Sequence, residues 1–426
     1  MAIFGDKNTH NDEVERLKRA VAELSVLNDL ARAISLSQDA DEIIRIIVSR
    51  SVKAVGAEEV SITMIDAEEA DLGNTRIFIT PDKNARGRHR SLNTEIKGCM
   101  LHEKRALMIN DPANDPVARN WQIPPDTRNF LCVPLMVRAG IIGVLTAFNK
   151  IDGDFSPDDQ RLLSIIATQS AQVLEKARID KMTGVMEEEI RVAELIQNAL
   201  LPKGFPDIPG FDVAGASLAA GHVGGDYFDF IPLPDKRWAF AVGDVSGKGI
   251  PASLLMANLQ ATLRSLVLQG SSCHHCMTQC NQLLFMSTTA DRFATLFYSR
   301  LDTRSNVLTY CNAGHERPYH LARDGKINRL SVGGLAVGIL EHFDYQDDIA
   351  ILQPGDMVVI FSDGVTDMIN AREEAFGEER LEKILHASRD LPASDLVDLI
   401  IHEVQGHAGK TPAFDDVTVM VIKKDL

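Results

Sequence analysis

From Pro157 to Pro202 apolar side chains recur at three- and four-residue steps without a break: Leu162, Leu163, Ile166, Ala167, Val173 and Leu174, then Ile179, Met182, Met186, Ile190, Ala193, Ile196 and Leu200. That spacing lays one apolar stripe along a helix. Ser156 or Asp154 is placed to open it, Pro157 suits its first turn, and Pro202 ends it. On both sides the pattern gives way to short β-rich runs. Upstream these are EVSITMID, TRIFIT, ALMIND, FLCVPLMV and IGVLTAFNK. Downstream they are FDVAGASLAA, WAFAVGDV, TLFYSRLD, VLTYCNAG, MVVIFSDG and VTVMVIKK, interleaved with helical stretches at 251–269, 274–287 and 391–404. The chain therefore reads as two α+β domains with a helical segment between them.

The expected division is a tail over 1–13, a first domain over 14–178, a helical linker over 179–201 and a second domain over 202–426. Within the first domain Val14, Leu17, Val21, Leu24, Leu27, Leu30 and Ile34 predict a long helix. Asp39 or Asp41 caps a second one carrying Ile43, Ile46 and Ile47. The 179–201 segment has two readings, a surface helix packed on its own domain or a coiled-coil connector that pairs two chains. The unbroken seam favours the connector and a homodimer.

Charge and composition narrow the function. A net charge of −16 argues against nucleic acid as a partner. No apolar run approaches the roughly 18–20 residues that cross a bilayer, and the first twenty residues lack a signal-peptide core. Six scattered cysteines in 426 residues do not make a disulfide framework, so a cytoplasmic protein is expected, with no membrane partner.

The chemistry lies with aspartates at the ends of β-rich runs, three of them beside glycine: Asp226, with Asp229, in GGDYFDF, Asp244 in GDVSGKG, Asp363 in SDG, and Asp415-Asp416 before VTVMVIKK. Hard divalent cations take carboxylate oxygens, with water filling the remaining positions. Strand ends hold such ligands rigidly, and glycine lets the backbone turn at the site. One Asp-Gly marks a turn; four strand-end sites in one domain point to a metal centre.

The stretch from about Ala193 to Lys424 resembles the SpoIIE-type, or RsbU-like, branch of the metal-dependent protein phosphatases of the type 2C superfamily. The matching segments, in order, are LIQ with LLP, GGDYFDF, GDVSGKGIPASLLMA, NAGHERP, FSDGVTD and DDVTVMVIK. The resemblance implies a helix-flanked β-sandwich of α/β/β/α type with two metal ions, Mn²⁺ or Mg²⁺. It implies that Asp226 binds one ion, that Asp244 bridges both with the Val245 carbonyl completing the set, and that Asp363 and Asp415 hold the second. Asp416 would support the ligands from behind, as would Asp229 and Asp367 unless they only cap turns. A water shared by two metals is a nucleophile at neutral pH, so no cysteine nucleophile is required.

Residues 14–178 resemble a GAF domain, a small-molecule sensing fold, on FLCVPLMVRAGIIGVLTAFNK and FSPDDQRLLSIIATQSAQVLEKAR. Asn149-Lys150, Phe155 and Asp159 follow the pattern of cyclic-nucleotide-binding members, although Gln160 stands where that pattern has Glu. Cys99 and Cys132 are read as buried strand cysteines and the basic loop 83–90 as solvated. Cys273, Cys276 and Cys280 are at helical spacing and are read as a buried face rather than zinc ligands. Asn312 and His315 either orient substrate or satisfy their own loop, and Lys248 either attracts a phosphoprotein or is only solvated.

Together these readings predict a bacterial serine/threonine protein phosphatase. Its expected partner is a phosphorylated anti-sigma-factor antagonist of the STAS type, and a small molecule or protein at the GAF domain would control it. The alternatives are a catalytically silent docking protein and a hydrolase of small phosphate esters.

Overall fold

The computed structural model describes residues 40–65, 77–79, 90–138, 140–289 and 292–426. The predicted tail, the helix over 14–34, the Asp39 cap and the loop 83–89 lie outside the described residues. The chain divides into two compact units, Met1–Val185 and Met186–Leu426.

In the first unit the order is α1 (Ala40–Val55), β1 (Ala57–Met64), β2 (Ile77–Ile79), α2 (Arg90–Glu103), β3 (Leu107–Ile109), β4 (Phe130–Val137), β5 (Gly140–Lys150) and the start of α3 (Pro157–Leu200). The strands form one antiparallel sheet in the order β2-β1-β5-β4-β3. Alternation assigns its two faces. Val60, Ile62, Leu131, Val133, Leu145 and Ala147 pack under Ile43 and Ile47 of α1 and Leu163, Ile166 and Leu174 of α3. Phe130, Cys132, Val144 and Phe148 face Leu92, Ile96 and Met100 of α2. The sequence reading missed α2 and placed Arg90 in a solvated loop. Its stripe of Leu92, Ile96 and Met100 steps by four, but Asn93 and Lys97, also buried, obscure the polar side.

Ser156 opens α3. Its hydroxyl accepts from the Asp159 amide, while the Asp159 carboxylate accepts from the Ser156 amide at 2.8 Å and its hydroxyl at 2.9 Å, a reciprocal cap. Lys150 donates to Asp159 at 2.7 Å and to the Val55 carbonyl at 2.8 Å, and Asn149 donates to Glu58 and to the Asp126 carbonyl. The Asn149–Lys150–Phe155–Asp159 set is thus a clasp between the end of β5 and the head of α3, spent on the protein's own groups.

The second unit is a sandwich. It contains β6 (Phe211–Leu218), β7 (Tyr227–Leu233), β8 (Arg237–Val245), α4 (Ile250–Leu268), α5 (Cys273–Ser287), β9 (Ala294–Asp302) and β10 (Val307–Ala313). Then come β11 (Tyr319–Leu321), β12 (Ile327–Arg329), β13 (Gly333–Gly334), β14 (Asp348–Ile351) and β15 (Met357–Phe361). The chain closes with α6 (Asp363–Thr366), α7 (Glu378–Ala387), α8 (Ala393–Ala408) and β16 (Val417–Lys424). One sheet runs β13-β10-β9-β8-β7 with β14 also on β10; the other runs β12-β11-β15-β16-β6. Phe228, Phe240, Phe297 and Tyr310 from the first meet Val213, Val358, Ile360, Met420 and Ile422 from the second. Outside, α4 and α5 cover the first sheet and α7 and α8 the second. The α/β/β/α layering matches the expected fold class. Among the described residues no helix is long and apolar enough to cross a membrane.

Candidate metal centre

Two strands of each sheet end at one edge of this sandwich, and each carries an aspartate there. Asp226 immediately precedes β7 and Asp244 is the penultimate residue of β8. The β7–β8 register, Tyr227 opposite Gly243, brings these two carboxylates side by side. Asp363 opens α6 directly beyond β15, and Asp415 lies two residues before β16, which pairs with β15.

Their electrostatics are those of crowded like charges. Burial and the neighbouring Asp363, Asp415 and Asp416 push the Asp244 carboxyl up to about 7. Burial and Asp244 hold Asp226 well above the usual carboxylate range, and burial with Asp415 and Asp367 raises Asp363. Among the described residues no three acidic, His or Cys side chains close on one point as a ready ion cage. The four aspartates instead offer an oxygen-only donor set spread over the edge. Such a set fits hard divalent cations that keep several waters, and bound positive charge would relieve the repulsion. The Val245 carbonyl faces the same place, since a Cβ on Gly225 would lie 2.7 Å from its oxygen.

A layer of buried groups fixes these ligands. Asp416 accepts from the amides of Ala220 at 2.7 Å, Gly225 at 2.6 Å and Asp226 at 3.3 Å, so it anchors the loop 220–226. Thr418 donates its hydroxyl to Asp226. Ser362 donates to the Asp416 carbonyl at 3.2 Å and accepts from the Thr418 amide at 3.0 Å, welding β15 to β16. Gln197, in the last turn of α3, donates to the Gly224 carbonyl at 2.7 Å and accepts its amide at 3.0 Å. The sequence reading quoted Gln197 without a role and missed those of Thr418 and Ser362; these partners are 27 to 192 residues away in the chain.

Other expected residues fall elsewhere. Asp229 neither caps a turn nor touches the four aspartates. It is fully buried in β7, accepts from Arg264 through both oxygens at 2.6 and 2.9 Å, and takes the Tyr227 hydroxyl at 2.8 Å. It ties sheet to α4, as a buried charge must be tied. Asp367 is exposed at the end of α6 beside Asp363. Lys248 is not merely solvated: its Nζ lies 3.5 Å from Asp415 Oδ2, donates to the Phe414 carbonyl and sits 3.7 Å from the Phe414 ring centre. Cys273, Cys276 and Cys280 line the buried face of α5, where burial raises all three thiols, as expected of core cysteines.

Asn312 and His315 are both buried behind the edge that carries Asp244. Asn312 accepts from the His315 amide at 2.8 Å and donates to the Leu330 carbonyl, while His315 Nδ1 shares a proton with Thr295 Oγ1 at 2.9 Å. Burial holds the His315 imidazole down at about 4. The unfolded chain takes this proton near pH 6.5 and the folded chain only near 4, so the stabilisation is present above pH 6.5 and lost as pH falls. We expect the stability advantage of wild type over His315→Gln to shrink by about 2 kcal/mol between pH 7 and pH 5. Urea unfolding in chelator at the two pH values checks this; an unchanged difference would show the imidazole already charged or exposed.

Comparison with known proteins agrees with this geometry. The family model for Stage II sporulation protein E (SpoIIE) matches residues 234–425, and that for the GAF domain matches residues 37–175. The chain is 31% identical over 255 residues to "Phosphoserine phosphatase RsbU" of Bacillus subtilis, covering 57% of this chain and 73% of that one. It is 29% identical over 269 residues to "Protein IcfG" of Synechocystis sp., where the match spans 57% of this chain and only 42% of the relative. The solved SiaA-PP2C domain of Pseudomonas aeruginosa superposes with a TM-score of 0.51 at 19% identity, over 57% of this chain and 99% of that one, a likeness of fold.

Proposed function

We propose that this chain, which belongs to the SpoIIE/RsbU family of PP2C-type phosphatases, hydrolyses phosphoserine or phosphothreonine on a protein in a divalent-metal-dependent reaction. The observation that carries the reading is the meeting of Asp226, Asp244, Asp363 and Asp415 from four strand ends at one edge, three of them with carboxyls raised by burial and by one another. Asp226, Asp244 and the Val245 carbonyl would hold one Mn²⁺ or Mg²⁺, and Asp244, Asp363 and Asp415 a second. Such a pair, when bound, lowers the pKa of water and neutralises phosphate charge. The protein's own part is to keep the carboxylates aimed, through Thr418 on Asp226 and Asp416 and Gln197 on the loop before it. The test is phosphate release from a phosphoserine peptide with Mn²⁺ and with chelator; equal rates would reject metal dependence.

The relatives' names favour a signalling substrate, and we take it to be a phosphorylated anti-sigma-factor antagonist of the STAS type, with the GAF-like unit (14–178) as regulator. Residues 179–189 of α3 are exposed on every side, Ile179, Met182, Val185 and Met186 included. An all-round exposed helix with an apolar seam calls for a partner, and a second copy supplies the matching seam. The linker (179–201) would then carry the signal to the catalytic domain (202–426) through Gln197. Proline at Met186 breaks the helix at a cost of about 3 kcal/mol. Met186→Pro is expected to shift both the dimer fraction in analytical ultracentrifugation and the rate of phosphate release. A variant that stays dimeric with wild-type activity would exclude the linker as the route.

A further inference from the structure

Beside the four aspartates lies a cleft of about 410 Å³, within the roughly 300–1,000 Å³ typical of ligand sites. Asp363, Asp415 and the exposed Asp367 line it together with an apolar wall of Met368, Ile369 and Phe414. Phe414 also lines a second cleft of about 310 Å³, shared with Lys248 and Ile250. Phe414 is 69% exposed, yet Lys248 holds it through both the ring face and the Phe414 carbonyl. Phe414 is thus a large, mostly exposed aromatic next to a candidate metal ligand, with Lys248 against its ring. It has the character of a binding anchor, apolar, rigid and already desolvated on one side.

We propose that Phe414 is a specificity-determining residue that selects phosphoserine segments carrying a large apolar residue close to the phosphoserine. This rests on the phosphatase reading and names the segment it takes. The occupant follows from the shared lining: whatever lies against Phe414 in the first cleft is next to Asp363 and Asp415, so a residue seated there is a near neighbour of the phosphorylated one. The apolar wall favours Leu or Met at that position, and it and the carboxylate of Asp367, which holds no proposed ion, disfavour Asp or Glu.

The test uses the full chain with Mn²⁺ and phosphoserine peptides identical except for Leu, Ala or Glu at each of three positions on either side, with 4-nitrophenyl phosphate as the small ester. Wild type is expected to favour Leu over Ala at one position by about tenfold in kcat/KM, with Glu poorest. Phe414→Ala should flatten that ranking to within about twofold and lower the peptide-to-ester ratio of kcat/KM. A peptide with a benzophenone in place of the preferred Leu should crosslink to 413–415 or 368–375, read by mass spectrometry. Equal use of all peptides by wild type, a ranking that survives Phe414→Ala, or crosslinks elsewhere would overturn the proposal while leaving the phosphatase reading intact. Turnover of the ester with no peptide hydrolysed would remove the protein-substrate reading and this proposal together.

Discussion

Asp244→Ala is expected to lower metal-dependent phosphoserine hydrolysis by about a thousandfold or more, with the folded second unit retained. Asp244 is the carboxylate in the middle of the set: it faces Asp226 across the β7–β8 register and feels Asp363, Asp415 and Asp416. Removing it takes a ligand from both proposed ions at once, whereas losing Asp226 or Asp415 would take one from a single ion. The same substitution relieves repulsion. In chelator above pH 7, where Asp244 must ionise in wild type, Asp244→Ala should melt no lower than wild type. Activity measured against excess Mn²⁺, with thermal melts alongside, separates the two effects. Near-normal activity in the variant would remove Asp244 from the chemistry.

Gly364→Ala is expected to destabilise the second unit by about 3 kcal/mol or more. A Cβ at this position would stand 1.9 Å from the Asp416 carbonyl oxygen and 2.9 Å from its carbon. Both are backbone atoms of the neighbouring strand entry, so no rotamer change relieves the clash. The backbone must part where Ser362 welds β15 to β16, and Asp363 and Asp416 move with it. Urea unfolding of wild type and variant reads the loss, and Mn²⁺-dependent activity should fall as well. A variant as stable as wild type would mean that this junction is looser than its contacts imply.

Much of this architecture was legible because it is local. Alternating apolar runs placed the long strands of both units, since a half-buried strand shows its period within a few residues. The four aspartates stood out because each sits at one end of such a run, three of them beside a glycine. What escaped was set by distant partners. Asp229 looks in sequence like the other strand-edge aspartates, and only Arg264, 35 residues on, makes it a structural anchor. Thr418 is one more β-branched residue in a strand until the sandwich closes and its hydroxyl meets Asp226. Helix α2 was missed because Asn93 and Lys97 are buried within it, against the usual polar-out pattern. His315 sits in a loop that left substrate orientation and loop packing both open, and its burial shows only in the closed fold.

Calorimetric titration of the metal-stripped full chain with Mn²⁺, for wild type and for Asp244→Ala, tests the central claim most directly. The account predicts saturable binding of two ions per chain in wild type and loss of at least one in the variant, with proton release on binding near pH 7 as the raised carboxyls ionise. No saturable binding in wild type, or identical binding by both proteins, would contradict it.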